Sequence, residues 1–330
     1  MTLLHNLPFL ALMPHSSCNC RCIMCDIWKA NAERRDIPLH QIDNILTDLD
    51  TLGVRLVTIT GGEALMGKNL WHLLEGLHER EITISLMSTG ILLEKHAHAI
   101  AQYCDAVTVS LDGDRETHNA IRLIPHAFER LSAGINALRI HAPNITIVAR
   151  CVIQQANYMK IPYIIHAARG INADFVSFLP ADVYSQAFNR PNPWDTSRVQ
   201  EIALSPVQVT ELKSIIDKVI KRYRTLFTSG FIYETPEALL RIVQYYDALN
   251  GRAKFPSIKC NAPWVSAVVE PNLDVKPCYF HPSIGNLNDG SLSEIINSQN
   301  AREFRQNLDI EKDPVCSRCV CPMNISLANA

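Results

Sequence analysis

"S-S-C-N-C-R-C-I-M-C-D-I-W", residues 16–28, sets Cys18, Cys20, Cys22 and Cys25 within eight positions. Thiolates are soft ligands that select zinc, copper(I) or iron–sulfur clusters. A structural zinc wants four protein ligands, with the second pair usually drawn from a nearby hairpin. The next cysteine here is Cys104, far along the chain, so a closed local zinc site is poorly supported. Cys18, Cys22 and Cys25 form a C-x3-C-x2-C loop instead. Three thiolates on one short loop cover three corners of a 4Fe–4S cubane and leave the fourth iron open for chemistry, with Cys20 expected to turn away.

Outward from that loop, β-branched and apolar runs at 8–13, 54–60, 82–87, 106–111, 145–153 and 174–179 read as strands. Amphipathic segments near 38–52, 69–80, 92–103, 124–141 and 157–169 read as helices from their three- and four-residue apolar spacing. Six strands each followed by a helix or a long connection imply parallel βαβ units, buried on both faces. Periodicity alone leaves a doubly wound sheet and a partial barrel open. In both, working loops lie at the carboxyl ends of the strands. The cysteine loop, G-G-E at 61–63, S-T-G at 88–90 and D-G-D at 112–114 all fall there. Beyond 180 come a polar and aromatic loop, helices near 206–226 and 235–250, and a cysteine-bearing stretch of short strands after a boundary near 255.

The 330 residues carry a net charge of −2, which gives no pull toward nucleic acid or an anionic membrane. The basic K-R-Y-R at 221–224 reads as a solvated helix face. No apolar run of about 18 residues occurs, and the apolar N-terminal stretch lacks a basic n-region, so a cytoplasmic protein without membrane partners is expected. Eleven cysteines in such a chain point to metal, not disulfides. Cys104 and Cys151 lie in apolar runs and read as core packing.

The cysteine loop, followed by Gly61-Gly62-Glu63 in "TITGGEAL" and by "VSLDGDRETHNAIR" at 109–122, resembles the radical S-adenosylmethionine (SAM) enzymes. The likeness runs over essentially the whole chain. It implies an α/β fold, a partial (β/α)6 TIM-like barrel over residues 1–255 with a helical linker at about 200–255. It also implies that Cys18, Cys22 and Cys25 hold a SAM-binding 4Fe–4S cluster. Cofactor contacts would come from Met24, Gly61, Gly62, Glu63, Ser88, Ser110, Asp112 and Arg122. Glycine lets backbone approach a ligand closely. Glu63 can accept from an amino group, and Arg122 can pair with a carboxylate. Alone, G-G-E would be an ordinary turn and Arg122 a surface ion pair; it is their order along the chain that gives them weight. Met24 stands where the family usually has an aromatic, Ala64 where it has a proline, and Thr89-Gly90 lacks a usual asparagine.

Cys260, Cys278, Cys316 and Cys319 have a spacing that suits a structural zinc as well as a cluster. "CNAPWVSAVVEPNLDVKPCYF" with "IGNL", "SLSEI" and "CSRC" resembles the small SPASM or twitch extension of radical SAM enzymes, placed here at 256–330. That resemblance implies one auxiliary 4Fe–4S cluster on Cys260, Cys278, Cys316 and Cys319, with Cys321 as an alternative to Cys319. Leu273 replaces a usual glycine in the hairpin.

The resemblance implies an enzyme that reductively cleaves SAM to a 5′-deoxyadenosyl radical and abstracts hydrogen from a substrate carbon. A flavodoxin- or ferredoxin-type donor would supply the electron. The expected outcome is two-electron oxidation of a small sugar- or aminocyclitol-like molecule, with the auxiliary cluster as acceptor. A start close to the first strand, with no room for a fused peptide-recognition domain, favours a small molecule. A peptide-modifying maturase and a non-catalytic iron–sulfur or zinc protein are the alternatives. Arg150, Asp182, Tyr184, Asn189 and Arg190 are candidate substrate contacts. The facing of Arg150 within its strand is open.

Overall fold

The computed structural model describes residues 3–325. Six strands, β1 (Phe9–Leu12), β2 (Leu56–Ile59), β3 (Thr83–Ser88), β4 (Ala106–Ser110), β5 (Thr146–Ile153) and β6 (Phe175–Pro180), pair in parallel and in chain order. All six stand where the apolar runs predict them. The six strands follow chain order without the reversal of a doubly wound sheet, and the sheet does not close, so the fold is the partial barrel. Beyond β6 there is one further parallel bridge, Val176–Ile232.

In-register rows show why the strands read as apolar. Leu10–Val57–Ile84, Leu86–Val107–Ile147 and Val109–Ala149–Val176 lie side by side, fully buried beneath the helices. The alternate rows, Thr58–Ser85–Ala106 and Ser110–Arg150, are half-buried and line the concave side. Strand alternation thus answers the open question about Arg150, which faces into the barrel with Ser110.

Between the strands run helices 39–52, 70–78, 93–103, 127–141 and 161–170. The first follows Pro38, buries Ile42, Ile45, Leu46, Leu49 and Leu52 on one stripe, and ends at Gly53, whose φ of 61° is the left-handed cap conformation. Two polar helices, Arg115–Arg122 and Thr196–Ile202, have no apolar stripe and escape periodicity. Both start at an aspartate cap: Asp114 accepts from Thr117 N at 3.0 Å and Asp195 from Arg198 N at 2.9 Å. The linker helices 206–222 and 236–249 open with Pro at N1 after Ser205 and Thr235 caps.

The C-terminal stretch joins the same sheet. β7 (Ser266–Val269) pairs in parallel with β1, from Phe9–Ser266 to Leu12–Val269. β8 (Asp274–Lys276) and β9 (Gly285–Asn286) continue antiparallel. At the β7–β8 turn Leu273 adopts φ +72°, the conformation a glycine takes without cost. Its side chain is nonetheless buried in the core.

Candidate active site

The cysteine loop leaves β1 and is held from three sides. Arg21 N and Ile23 N donate to the carbonyls of Arg122 and Ile121. Asn31 exchanges two 2.9 Å bonds with the Cys18 backbone. Glu63 N donates to Ser17 O at 2.9 Å. A Cβ on Gly62 would lie 2.2 Å from the Ser17 carbonyl oxygen, so the G-G-E turn and the loop touch backbone to backbone. Gly61 has φ +118°, open only to glycine.

Glu63 is fully buried and already satisfied. Ser88 Oγ donates to both carboxylate oxygens at 3.0 and 3.1 Å, Thr89 N donates at 2.8 Å and Thr89 Oγ1 at 2.5 Å, and Leu65 N at 3.3 Å. Burial pushes its carboxyl up, while these donors pull the other way. Ser88, expected on the cofactor, is thus bound to Glu63. Thr89, which the sequence reading passes over as a departure, carries two of the donors. Thr89 Oγ1 also reaches Asn19 Oδ1 at 3.0 Å, and Asn19 Nδ2 is buried with no partner among the described residues.

Asp112 and Arg122 differ from expectation in the same way. They do not stand free for the cofactor; they pair with each other at 2.5 Å, both buried. Arg122 Nη1 also lies 3.3 Å from Cys22 Sγ. Burial opposes the guanidinium charge, but Asp112 and the sulfur outweigh it and raise its pKa. The Cys22 thiol is drawn down to about 6, first by its hydrogen bond from Cys20 and then by Arg122. Cys25 goes the other way, up to about 12, chiefly by burial. Cys20 is buried, its N–H donating to Cys18 Sγ at 3.5 Å, and its neighbours Cys18 and Cys22 push its thiol pKa up. Ser110 makes no side-chain hydrogen bond among the described residues and faces the barrel. Three soft thiols on a tethered loop, a buried cation against one sulfur and a contact that excludes any side chain at Gly62 fit a thiolate-ligated cluster.

The loop after β6 lies on the cysteine loop. Arg190 is buried, paired with Asp182 at 2.7 Å, stacked 3.8 Å over Trp194, and donates to the Met24 carbonyl at 3.5 Å. Trp194 Nε1 donates to Asp26 at 2.8 Å and Arg198 donates to the Ile23 carbonyl. Asp182 and Arg190 therefore serve as a clamp and not as free substrate contacts. Tyr184 is exposed, with the Arg318 guanidinium 4.6 Å from its ring, and Asn189 is exposed with φ +60°. Of the five candidates, Arg150 alone turns into the barrel. Its side chain makes no hydrogen bond among the described residues, and its Nε is buried.

Burial first, and among the lesser causes Cys278 and Cys260, push the Cys316 and Cys319 thiols up. Among the described residues the compact group of metal-capable side chains here is His281, Asp313 and Cys316, with ligand atoms within 4.8 Å of one another. Cys321 is exposed, its N–H donating to Cys319 Sγ at 3.4 Å. Tyr279, beside Cys278, packs on Ala11, Met13 and Val268 at the end of β1. Burial raises its phenol pKa, with Cys25 the next cause. The sequence reading misses His281, which is buried with Nε2 3.2 Å from Cys316 Sγ and 3.7 Å from Asp313 Oδ1. The C-Y-F-H spacing at 278–281 was its available signal.

Residues 12–154 match the Radical SAM superfamily and residues 260–320 match SPASM, an iron-sulfur cluster-binding domain. The chain thus carries a Radical SAM domain followed by a SPASM iron–sulfur domain. A SAM-binding 4Fe–4S cluster, SAM itself and auxiliary iron–sulfur ligation go with those two domains. The chain is similar to Fe-coproporphyrin III synthase of Methanosarcina barkeri, 22% identical over 301 residues, 84% of this chain and 70% of that relative. It is 33% identical over 122 residues to a probable GTP 3′,8-cyclase of Methanococcus maripaludis, 36% of this chain and 38% of that protein. Among solved structures, Streptococcus suis SuiB bound to precursor peptide SuiA has a TM-score of 0.66 at 15% identity, covering 96% of this chain and 72% of that one. Native anSMEcpe with bound AdoMet and Cp18Cys peptide has 0.68 at 18%, covering 94% and 89%. Among the described residues no helix is long and apolar enough to cross a membrane.

Proposed function

We propose that this enzyme carries out a two-electron oxidation of a small, polyhydroxylated molecule through a substrate radical. Residues 1–255 bind SAM and substrate, and 256–330 hold one auxiliary cluster on Cys260, Cys278, Cys316 and Cys319. When bound, the two clusters and SAM supply a 5′-deoxyadenosyl radical at the first site and an electron acceptor at the second. The chain's own residues orient and enclose. Cys18, Cys22 and Cys25 hold the first cluster, Arg122 balances the Cys22 thiolate, and the Gly61–Gly62 backbone and Glu63 border the SAM site. Arg190, Trp194 and Arg198 fasten the β6 loop over the cysteine loop and exclude water from it. Arg150 and Ser110 offer donors to substrate hydroxyl or carboxylate groups. A flavodoxin- or ferredoxin-type protein is the proposed electron source.

The observation that supports the oxidative reading is the match of residues 260–320 to an iron–sulfur cluster-binding domain whose Tyr279, next to Cys278, packs on Ala11 and Met13 at the end of β1. Four thiolates complete a cubane's ligation, which suits electron transfer over substrate binding. Anaerobic reconstitution with metal analysis tests it. About eight irons per chain with deoxyadenosine release under strong reductant is expected. About four irons with zinc would remove the acceptor. The combined Cys18→Ala, Cys22→Ala, Cys25→Ala protein should release no deoxyadenosine; retained release would sink the mechanism. Turnover of a precursor peptide, and of no sugar or aminocyclitol, would replace the small-molecule reading with a peptide maturase.

A further inference from the structure

His281 is the one buried imidazole beside the C-terminal thiols, and none of the roles above uses it. It follows Cys278 by three residues, packs edge-on against Phe304 at 4.9 Å, and brings Nε2 to 3.2 Å from Cys316 Sγ. Asp313 Oδ1 lies 3.7 Å from the same nitrogen. That carboxylate oxygen is engaged already, accepting from Val315 N at 2.9 Å and Cys316 N at 2.8 Å, and so caps the turn that presents Cys316. A cysteine that ligates metal has no proton to give. With Cys316 bound to metal and His281 outside the ligand set, the contact runs from an imidazole N–H to the sulfur.

We propose that His281 donates a hydrogen bond from Nε2 to the Cys316 sulfur and thereby raises the reduction potential of an iron–sulfur cluster held by the four C-terminal thiols. The inference rests on the auxiliary-cluster reading above. Reduction adds negative charge that spreads onto the ligand sulfurs, and a donor aimed at one of them stabilises the reduced form more than the oxidised form. The Asp313 carboxylate, within 4.8 Å of the same sulfur, acts in the opposite sense, and its Oδ1 is held by the Val315 and Cys316 amides. An acceptor of higher potential takes an electron from a substrate radical more readily, so the bond favours oxidation as the outcome.

The test uses the full chain with Cys18→Ala, Cys22→Ala and Cys25→Ala, which leaves the C-terminal thiols as the cluster site. Redox titration followed by electron paramagnetic resonance should show His281→Leu harder to reduce by about tenfold in equilibrium constant, about 59 mV for one electron. His281→Gln, whose amide N–H reaches a similar position, should recover most of the shift. A potential unchanged by both substitutions overturns the proposal. Independently of any variant, isotopically labelled histidine in the His281-containing protein should give a weak nitrogen coupling to the reduced cluster. A strong coupling marks a ligand and no coupling marks no contact; either result overturns it. Zinc without iron in this protein overturns the auxiliary-cluster reading itself, and the proposal with it.

Discussion

Between Asp112 and Cys22, the buried Arg122 guanidinium answers a carboxylate at 2.5 Å and a sulfur at 3.3 Å. Arg122→Gln would leave Asp112 without its cation in a site it cannot leave. A loss of about 3–5 kcal/mol is expected, read as a lower denaturant midpoint. On the same helix His118 is fully buried and takes a 3.2 Å bond from Asp112 N on Nδ1. Burial and then Arg122 lower its pKa from 6.5 to about 3, so the fold holds it neutral. The unfolded chain takes up the proton first. Its contribution is therefore intact above pH 6.5 and is lost as the pH falls toward about 3, by up to about 1.4 kcal/mol per unit. Thermal unfolding of His118→Gln between pH 7 and 5 should show a flatter acid limb than the parent protein. The identities of Arg122 and Glu63 are legible in the sequence because motif order marks them. Their partners are not, because residue type and spacing carry no distances: Asp112 and Ser88 suit the cofactor as well as they suit their neighbours.

The strands and long helices are legible because each repeats one periodicity over several residues. Helix 115–122 is not, since "RETHNAIR" has no apolar stripe and only the Asp114 cap announces it. At the G-G-E turn the constraint is steric. Gly62→Ala would push a methyl to 2.2 Å from a backbone oxygen of the cysteine loop, which cannot swing aside as a side chain does. The expected result is loss of the first cluster with the second retained, about four irons per chain in place of about eight. At the β7–β8 turn the two costs compete. Holding Leu273 at φ +72° costs about 1–2 kcal/mol, whereas its burial contributes about 1.5–3 kcal/mol. The turn keeps the glycine-like conformation because burial outweighs the strain, and β7 and β8 pair in register across it, Val269 with Val275.

At the scale of the molecule, the sheet order β6-β5-β4-β3-β2-β1-β7-β8-β9 makes β1 an interior strand. The composition change near 255 reads as a boundary, but the backbone ladder crosses it. Nothing local in "WVSAVV" states that it pairs with "FLAL" some 250 residues earlier, which is why this join is invisible in the sequence. A chain ending at 255 would expose the whole β1 edge, apolar and unpaired. Such a fragment should aggregate or stay unfolded, and light scattering against the full-length protein checks this. Folding as an isolated monomer would show the ladder to be dispensable.

The β1–β7 ladder also bears on how such a protein is inherited. A module attached by a flexible tether can be exchanged between genes without disturbing its host. Here the graft would have to reproduce four consecutive pairings against the strand that feeds the cysteine loop. Recombination that swapped the C-terminal quarter for a foreign one would have to preserve those pairings or disturb the strand that feeds the cysteine loop.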